Sequence, residues 1–241
     1  MDPFVLLNSK LELASYQAGF LASGVPDLSS CPTRTLTKTI WGYEGGDVGQ
    51  TPFGFVTTGP EGPIATFRGT EMPDGSLAEW LDNLDAFLIP CPLVPGTRVH
   101  RGMWGLYRSL NVVGCPIGSY LATVPGVRCH GHSLGAVFAV YASLEAKAAL
   151  PPVLFACPKG WDGAFATHFA DLYGTKVPLF RNPDDVVPAL PITVDVLFVA
   201  EDFQPIAEAT VLLPTSVVPR VGSSWLEAHS MANYDRLLNA A

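Results

Sequence analysis

A serine between two glycines stands in the segment Gly131-His132-Ser133-Leu134-Gly135, after an apolar strand-like stretch and before an Ala-rich one. This G-x-S-x-G spacing is typical of a nucleophile at a tight strand-to-helix turn, where the glycines leave room for the strand and the helix to cross. Such a turn exposes the serine hydroxyl and leaves helix N-terminal N–H groups nearby, which can stabilise a developing negative charge. We therefore predict that Ser133 is a catalytic nucleophile rather than part of a plain glycine-rich connection.

A serine nucleophile needs a general base, and the chain has five histidines. His130 and His132 flank the serine, where their side chains should point away from its hydroxyl. His168 lies in an amphipathic helical pattern. His100 could line a site but precedes the serine, against the Ser–acid–His order of α/β-hydrolases. His229 follows every acidic candidate and is the predicted base.

The acid that orients the base must lie between the serine and His229, at the end of a strand. Asp184 and Asp185 follow a predicted strand at 177–180 and are the two strongest candidates. The other aspartates of this region fall in helix-like or strand contexts that favour exposure to solvent: Asp162, Asp171, Asp195 and Asp202. The residues alone do not separate Asp184 from Asp185.

Strand and helix patterns alternate along the chain and must position these groups. Apolar residues at helical spacing predict helices over 4–22, near 76–88 and over 134–149. Short apolar runs predict strands at 35–42, 52–58, 63–68, 97–100, 127–130, 153–156, 177–180 and 194–199, with a turn at 45–47. This alternation predicts a single α/β domain over 1–241 with a largely parallel sheet.

Composition and charge exclude several classes of protein. The 241 residues are 48% hydrophobic and 15% charged, with a formal net charge of −8. The apolar content excludes intrinsic disorder, and the acidic balance argues against nucleic acid as a partner. No stretch is long and unbroken enough to predict a transmembrane helix. No metal cluster or nucleotide loop is visible, so we expect no cofactor.

Cysteine spacing and the N-terminus bear on metal binding, disulfides and localisation. The five cysteines include no C-x-x-C pair, which argues against a structural zinc site. We expect Cys129 and Cys157 to be buried in apolar strands, and a disulfide among Cys31, Cys91 and Cys115 stays open. The N-terminus lacks the basic and apolar pattern of a secretory leader, which predicts a cytoplasmic protein or one whose leader was removed.

Taken in order along residues 64–235, these segments resemble the class 3 (fungal-type) triacylglycerol lipases of the α/β-hydrolase superfamily. The G-x-S-x-G segment at 131–135, called the elbow below, matches that family's nucleophile segment, and His229 matches its C-terminal histidine. The family's other motifs correspond to 67–70 (FRGT, the oxyanion segment), 77–84 (LAEWLDNL, the lid helix), 99–103 (VHRGM), 155–159 (FACPK) and 185–188 (DVVP). Within this resemblance the D-x-V-P match selects Asp185 over Asp184 as the acid.

The resemblance implies an α/β-hydrolase fold with a mostly parallel sheet flanked by helices, and hydrolysis of carboxylic esters through an acyl-enzyme. The backbone N–H of Leu134 and the N–H and hydroxyl of Thr70 would hold the oxyanion. A triacylglycerol lipase is the leading interpretation. Feruloyl esterase, short-chain carboxylesterase, phospholipase and, less strongly, a non-catalytic lipase-like scaffold stay open. Ala136, Ala156 and Lys159 depart from the family pattern and bear on packing and substrate shape.

The segment at about 73–88 is a candidate lid. Its apolar residues share one helix face, namely Leu77, Trp80, Leu81, Leu84 and Leu88. Periodicity alone favours an ordinary surface helix with this face on the core. Its position after the oxyanion strand, with the family resemblance, predicts instead a lid that covers the site and makes transient contact with a lipid interface.

Overall fold

A nine-stranded sheet forms the centre of the computed structural model, which describes residues 2–43, 50–70, 87–174, 177–191, 195–196, 199–200, 202–212 and 225–240. The thirteen strands are β1 (Thr35–Gly42), β2 (Thr51–Thr58), β3 (Ile64–Phe67), β4 (Leu88–Pro90), β5 (Arg98–His100), β6 (Asn111–Val112), β7 (Cys115–Pro116), β8 (Arg128–His132), β9 (Val153–Phe155), β10 (Leu179–Arg181), β11 (Asp195–Val196), β12 (Val199–Ala200) and β13 (Thr210–Val211). The order across the main sheet is β13-β10-β9-β8-β3-β2-β1-β6-β7.

The sheet has a parallel half and an antiparallel half. The pairs from β13 to β3 are all parallel, whereas the pairs from β3 to β7 are antiparallel. Only β2 and β6 therefore run against the other seven strands of this sheet. The carboxyl ends of the parallel strands lie along one edge, which is where α/β proteins place their ligand sites.

Eight α-helices are described: α1 (Pro3–Ser15), α2 (Ala18–Ser23), α3 (Arg101–Ser109), α4 (Ile117–Leu121), α5 (Leu134–Glu145), α6 (Gly163–Tyr173), α7 (Trp225–His229) and α8 (Met231–Ala240). A short 3₁₀ helix spans Val187–Ala189. Alternate residues of each strand point to opposite faces of the sheet. Both faces carry apolar side chains, and helices cover both. Phe67 and Leu154 pack in the cluster that contains α5, while Val153 and Phe155 pack with α1 and α8.

Most predicted elements are confirmed, three are corrected, and some, such as β13, were not predicted. The helix predicted over 4–22 is two helices, because the chain leaves helical geometry at Tyr16 and Gln17. Leu88, the last residue of the predicted lid helix, lies in β4 opposite His100. The strand predicted at 194–199 is instead the small antiparallel pair β11–β12, outside the main sheet. The edge strand β13 was not predicted, since two residues carry no readable pattern.

Helix α1 buries an unusually polar face on the sheet. Asn8, Ser9, Glu12 and Ser15 are all fully buried. Glu12 Oε1 lies 3.1 Å from His130 Nδ1, and His130 Nε2 lies 2.8 Å from Thr66 Oγ1. Burial raises the pKa of Glu12 well above its usual value and lowers the pKa of His130 to about 3. The His130 ring is therefore neutral near pH 7.

Two expectations about the chain as a whole concern cysteines and the membrane. All five cysteines are unpaired, so the disulfide left open by the sequence is absent, and Cys129 and Cys157 are buried as predicted. Among the described helices, none combines the length and the apolar character that a membrane crossing requires.

Candidate active site

Ser133 occupies a strained turn between β8 and α5. Its backbone has φ 58° and ψ −130°, a conformation that residues other than glycine rarely adopt. The Ser133 N–H donates to the Phe155 carbonyl, and the Ser133 carbonyl accepts from Ala136 N–H, so both sides of the turn are held. The predicted strand–turn–helix context of the serine is confirmed.

The two glycines of the motif allow backbones to approach more closely than any side chain would permit. A Cβ on Gly131 would overlap the Gly135 carbonyl, and a Cβ on Gly135 would overlap the Phe67 carbonyl at the end of β3. The turn that carries Ser133 is thereby pressed against the end of the neighbouring strand.

Ser133, His229 and Asp185 come together as a hydrogen-bonded series, although 96 and 44 residues separate their pairs along the chain. His229 Nε2 lies 2.9 Å from Ser133 Oγ, and His229 Nδ1 lies 2.9 Å from Asp185 Oδ2. All three residues are buried. In this arrangement the imidazole can accept the serine proton at Nε2 while the carboxylate accepts a hydrogen bond from Nδ1–H.

The Asp185 carboxylate has further donors. Its Oδ1 accepts from Val187 N–H at 2.9 Å, and its Oδ2 also accepts from the Tyr234 hydroxyl at 2.7 Å. Burial, followed by the nearby Asp185 charge, raises the pKa of Tyr234 well above its usual value, so this hydroxyl keeps its proton. The N–H of the neighbouring Asp184 donates to Asn182 Oδ1 in the turn after β10.

Two groups near the serine can donate to an oxyanion. Leu134 is the first residue of α5, where backbone N–H groups have no partner within the helix. Thr70 follows β3, and its buried Oγ1 has no hydrogen-bond partner among the residues that the structure describes. Gly69 brings this segment to the serine, because a Cβ on Gly69 would lie 2.7 Å from Ser133 Cβ.

The remaining histidines have other positions. His130 contacts Glu12 and Thr66 beneath the sheet, and His168 is a half-buried residue of α6. His100 is buried as the N-cap of α3, where its Nδ1 accepts from Met103 N–H at 3.4 Å.

His132 bridges two parts of the site, which the sequence did not predict. Its Nδ1 lies 2.7 Å from the Tyr16 hydroxyl, and its Nε2 lies 2.8 Å from the His229 carbonyl oxygen. Burial lowers the pKa of His132 well below its usual value, and the adjacent His229 lowers it further. The His132 ring is therefore neutral over the ordinary working range of pH.

Sequence reasoning also missed Tyr16, Asn182 and Tyr234. Asn182 Nδ2 donates to the Ala228 carbonyl, and the Asn182 N–H donates to the Tyr234 hydroxyl, so this residue joins the turn that bears Asp185 to α7 and α8. No local spacing marks these residues, because their partners are distant in sequence. Tyr234 alone could have been suspected from the sequence, because a tyrosine five residues after the predicted base is close enough to contribute to the site.

The predicted lid residues Leu77, Trp80, Leu81 and Leu84 lie outside the described residues, as does the turn at 45–47. The lid therefore stays a prediction. The described site consists of the elbow, the oxyanion segment, the turn after β10 and the junction of α7 and α8.

Solved structures identify the class of fold. The Rhizomucor miehei lipase in complex with its propeptide superposes with a TM-score of 0.61 at 22% identity, covering 79% of this chain and 63% of that one. A triacylglycerol lipase with a serine protease triad at its catalytic centre superposes with a TM-score of 0.60 at 24% identity, covering 78% of this chain and 74% of that one. At these identities the likeness shows the fold alone, and the predicted α/β-hydrolase fold is confirmed.

Sequence comparison identifies the family. The family model "Lipase (class 3)" matches residues 64–195, which is more than half of the chain. The chain belongs to the class 3 lipase family, as its motifs predicted. Phospholipase A1-II 4 of Oryza sativa subsp. japonica is 28% identical over 173 residues, covering 58% of this chain. The chain spans 43% of that relative's length and 63% of the Rhizomucor miehei structure.

Proposed function

We propose that this protein hydrolyses carboxylic esters of lipids through an acyl-enzyme formed on Ser133. The observation that carries the proposal is the series Ser133–His229–Asp185, which two hydrogen bonds of 2.9 Å join, with Ser133 on the strained turn between β8 and α5. Family membership supports the same class of reaction.

In the first step Ser133 Oγ attacks the ester carbonyl carbon while its proton moves to His229 Nε2. Asp185 orients the imidazole through Nδ1–H and stabilises the imidazolium that forms. The tetrahedral intermediate collapses when His229 returns this proton to the alkoxide leaving group, and the acyl group stays on Ser133. A water molecule, deprotonated by the same imidazole, then releases the carboxylic acid and restores the serine.

The oxyanion of each tetrahedral intermediate would accept from Leu134 N–H and from the N–H and hydroxyl of Thr70. The buried Thr70 hydroxyl supports this role, because it has no partner among the described residues and can bind the oxyanion without first breaking another hydrogen bond. Each such donor contributes on the order of 3 kcal/mol to stabilisation of the transition state.

The test compares the wild type with Ser133→Ala on dissolved p-nitrophenyl esters. The variant should lose turnover by about 10⁶, by analogy with other triad enzymes, because it has no nucleophile. A fluorophosphonate should label the wild type once, at Ser133, and leave the variant unlabelled. Retained activity in the variant would refute the assignment, and an inert, unlabelled wild type would favour a non-catalytic scaffold.

Triacylglycerol is the first substrate we propose. The net charge of −8 opposes docking on anionic membranes, so apolar contact with a neutral ester surface is favoured. Rates for acyl chains from two to eighteen carbons, below and above their solubility limits, test this choice. A rise on long-chain emulsions supports a lipase, whereas activity confined to short dissolved esters indicates a carboxylesterase.

A phospholipase A1 activity is the second candidate, because the rice relative carries that name. Phosphatidylcholine with different acyl chains at its two positions separates the two proposals. Release of the sn-1 acyl chain at a rate above that for triacylglycerol would favour the phospholipase. Feruloyl esters serve as a third substrate in the same assay.

A further inference from the structure

Hydrogen bonds hold Gly69, which precedes the proposed donor Thr70, at both its carbonyl and its N–H. Arg68 Nη1 donates to the Gly69 carbonyl at 2.7 Å, and the same guanidinium reaches the Pro52 carbonyl through Nε at 2.7 Å. The Gly69 N–H donates to the Tyr16 hydroxyl at 2.7 Å. Because the Gly69 carbonyl and the Thr70 N–H belong to one planar peptide, fixing the carbonyl also fixes the direction of that N–H.

The Tyr16 hydroxyl makes a second bond that leads to the base. It lies 2.7 Å from His132 Nδ1, and His132 Nε2 lies 2.8 Å from the His229 carbonyl. A carbonyl only accepts, so Nε2 carries the proton and Nδ1 accepts from the tyrosine. The hydroxyl thus accepts from Gly69 and donates to His132, and no donor or acceptor in the series conflicts with its partner.

This series of hydrogen bonds joins the proposed oxyanion segment to the proposed base through Tyr16 and His132, neither of which belongs to the proposed triad. At one end is the peptide that bears the proposed Thr70 donor, and at the other is the backbone of the proposed base. Both ends flank Ser133, since Gly69 packs against its Cβ and His229 contacts its Oγ.

Tyr16 also makes apolar contacts, which must be separated from its hydrogen bonds. It is the C-cap residue of α1, and its ring meets the His132 ring edge to face with centroids 5.5 Å apart. A phenylalanine would keep this ring contact and lose only the hydroxyl. The substitution therefore isolates the polar function from packing.

We propose that Tyr16 is a positioning residue for ester hydrolysis, whose hydroxyl holds the Gly69–Thr70 oxyanion segment and, through His132, the backbone of His229 at fixed places around Ser133. The proposal rests on the function proposed above. Tyr16 acts on the geometry of the donors and the base and does not itself touch the ester.

Loss of the hydroxyl should affect the transition state more than the bound substrate. The Gly69 N–H loses its acceptor, so the adjacent Thr70 donor is less well aimed at the charge that develops on the carbonyl oxygen. Removing one neutral hydrogen bond of this kind predicts a fall in kcat of about tenfold with KM unchanged. A role confined to general stability would lower the amount of folded enzyme and leave the kcat of the folded fraction intact.

The experiment compares wild type, Tyr16→Phe and the matched control Tyr173→Phe on p-nitrophenyl butyrate. The Tyr173 hydroxyl donates to the Ser143 carbonyl at 3.3 Å, between α6 and α5, so its loss should leave the kinetics unchanged. A trifluoromethyl ketone, which adds to the serine as a tetrahedral oxyanion, should bind Tyr16→Phe weaker by the same factor as the fall in kcat/KM. Thermal unfolding of each variant gives the folded fraction.

The outcomes separate the two proposals. If the wild type neither turns over esters nor reacts with a fluorophosphonate, the proposed function fails and this inference fails with it. If the wild type is active but Tyr16→Phe keeps its kcat and its affinity for the ketone, only the role of Tyr16 is refuted. An increase in KM alone refutes it as well.

A second variant keeps the test decisive if Tyr16→Phe does not fold. His132→Phe removes the link from Tyr16 to His229 while keeping a ring against its aromatic neighbours. The same pattern of lower kcat with unchanged KM is expected, and an unchanged kcat would refute the coupling.

Discussion

At the scale of the residue, the geometry of the site depends on a position that has no side chain, Gly69. Gly69 carries no side chain where Ser133 Cβ, the Tyr16 hydroxyl and the His132 carbonyl converge. A methyl group there would lie between 2.7 and 3.0 Å from all three. The oxyanion segment can therefore approach the serine only because position 69 is glycine.

Gly69→Ala should impair catalysis severely. The added Cβ must push the segment or the serine away, and a displacement near 1 Å in a reacting group lowers the rate by about a hundredfold. We expect kcat on a soluble ester to fall by that factor, while the far-ultraviolet circular dichroism spectrum, which reports secondary structure, stays as in the wild type.

Gly19→Ala in α2 is the matched control, since a Cβ there meets no atom within 4 Å. Its activity should equal that of the wild type, and its helix should be slightly more stable, because alanine favours helices over glycine. Wild-type activity in Gly69→Ala would show that the close approach is not needed.

The elbow was readable from sequence because its information is local. Glycines at fixed spacing around Ser133, between a strand and a helix, carry the whole pattern. The choice between Asp184 and Asp185 was not local: it came from the family motif, and in the structure it follows from which carboxylate faces His229 and Tyr234. Tyr16 was unreadable for the same reason, because its partners Gly69 and His132 lie 53 and 116 residues away.

At the scale of the element, α1 differs from a usual amphipathic helix. Its sheet-facing side carries Asn8, Ser9, Glu12 and Ser15, so the hydrophobic pattern correctly predicted a helix but not which polar residues it buries. Hydrogen bonds help to compensate this burial: Asn8 Nδ2 donates to the Phe4 carbonyl, and the Ser9 hydroxyl donates to Asp235 Oδ1.

Glu12 should make stability depend on pH. Its pKa is raised by burial in the folded protein, so the unfolded chain releases this proton at lower pH than the folded chain does. Stability from the neutral carboxyl is complete below the unfolded pKa of about 4.3 and declines as pH rises toward the folded pKa. The limiting slope is about 1.4 kcal/mol per pH unit.

Glu12→Gln removes the titrating carboxyl and keeps a polar side chain of the same size beside His130. The variant should match the wild type near pH 4 and become progressively more stable than the wild type as the pH rises above about 4.3, as measured by thermal or urea unfolding. His130 is present in both proteins, so its own titration largely cancels in the difference. A variant less stable than the wild type by a constant amount would mean that Glu12 is ionised and paired with a protonated His130.

At the scale of the whole molecule, the sheet gathers the site from distant parts of the chain. Ser133 follows β8, Asp185 follows β10 and Thr70 follows β3, all at the carboxyl ends of parallel strands. The alternation of strands and helices predicted this class of fold. It did not predict the antiparallel half from β2 to β7, because short strands do not reveal their partners or directions.

The lid proposal also belongs to this scale, since it concerns how the molecule meets its substrate. If the apolar face at 77–84 contacts lipid, Trp80→Ser should lower activity on long-chain emulsions by about tenfold, because a large aromatic surface no longer leaves water. Activity on short dissolved esters should stay near the wild-type rate. An equal loss on both kinds of substrate would argue against a lid.

Helix α1 reaches the far end of the sequence as well as the site. The Ser9 hydroxyl donates to Asp235 on α8, across 226 residues, and both helices share one apolar cluster. During synthesis α1 leaves the ribosome before β8 and α8 do, so the contacts of its polar face are complete only once α8 is made. Contacts of such long range also slow folding, because a large loop must close before they form. The link from the Tyr16 hydroxyl through His132 to the His229 carbonyl therefore forms late, and the newly made chain should remain inert toward esters until α7 and α8 have joined α1.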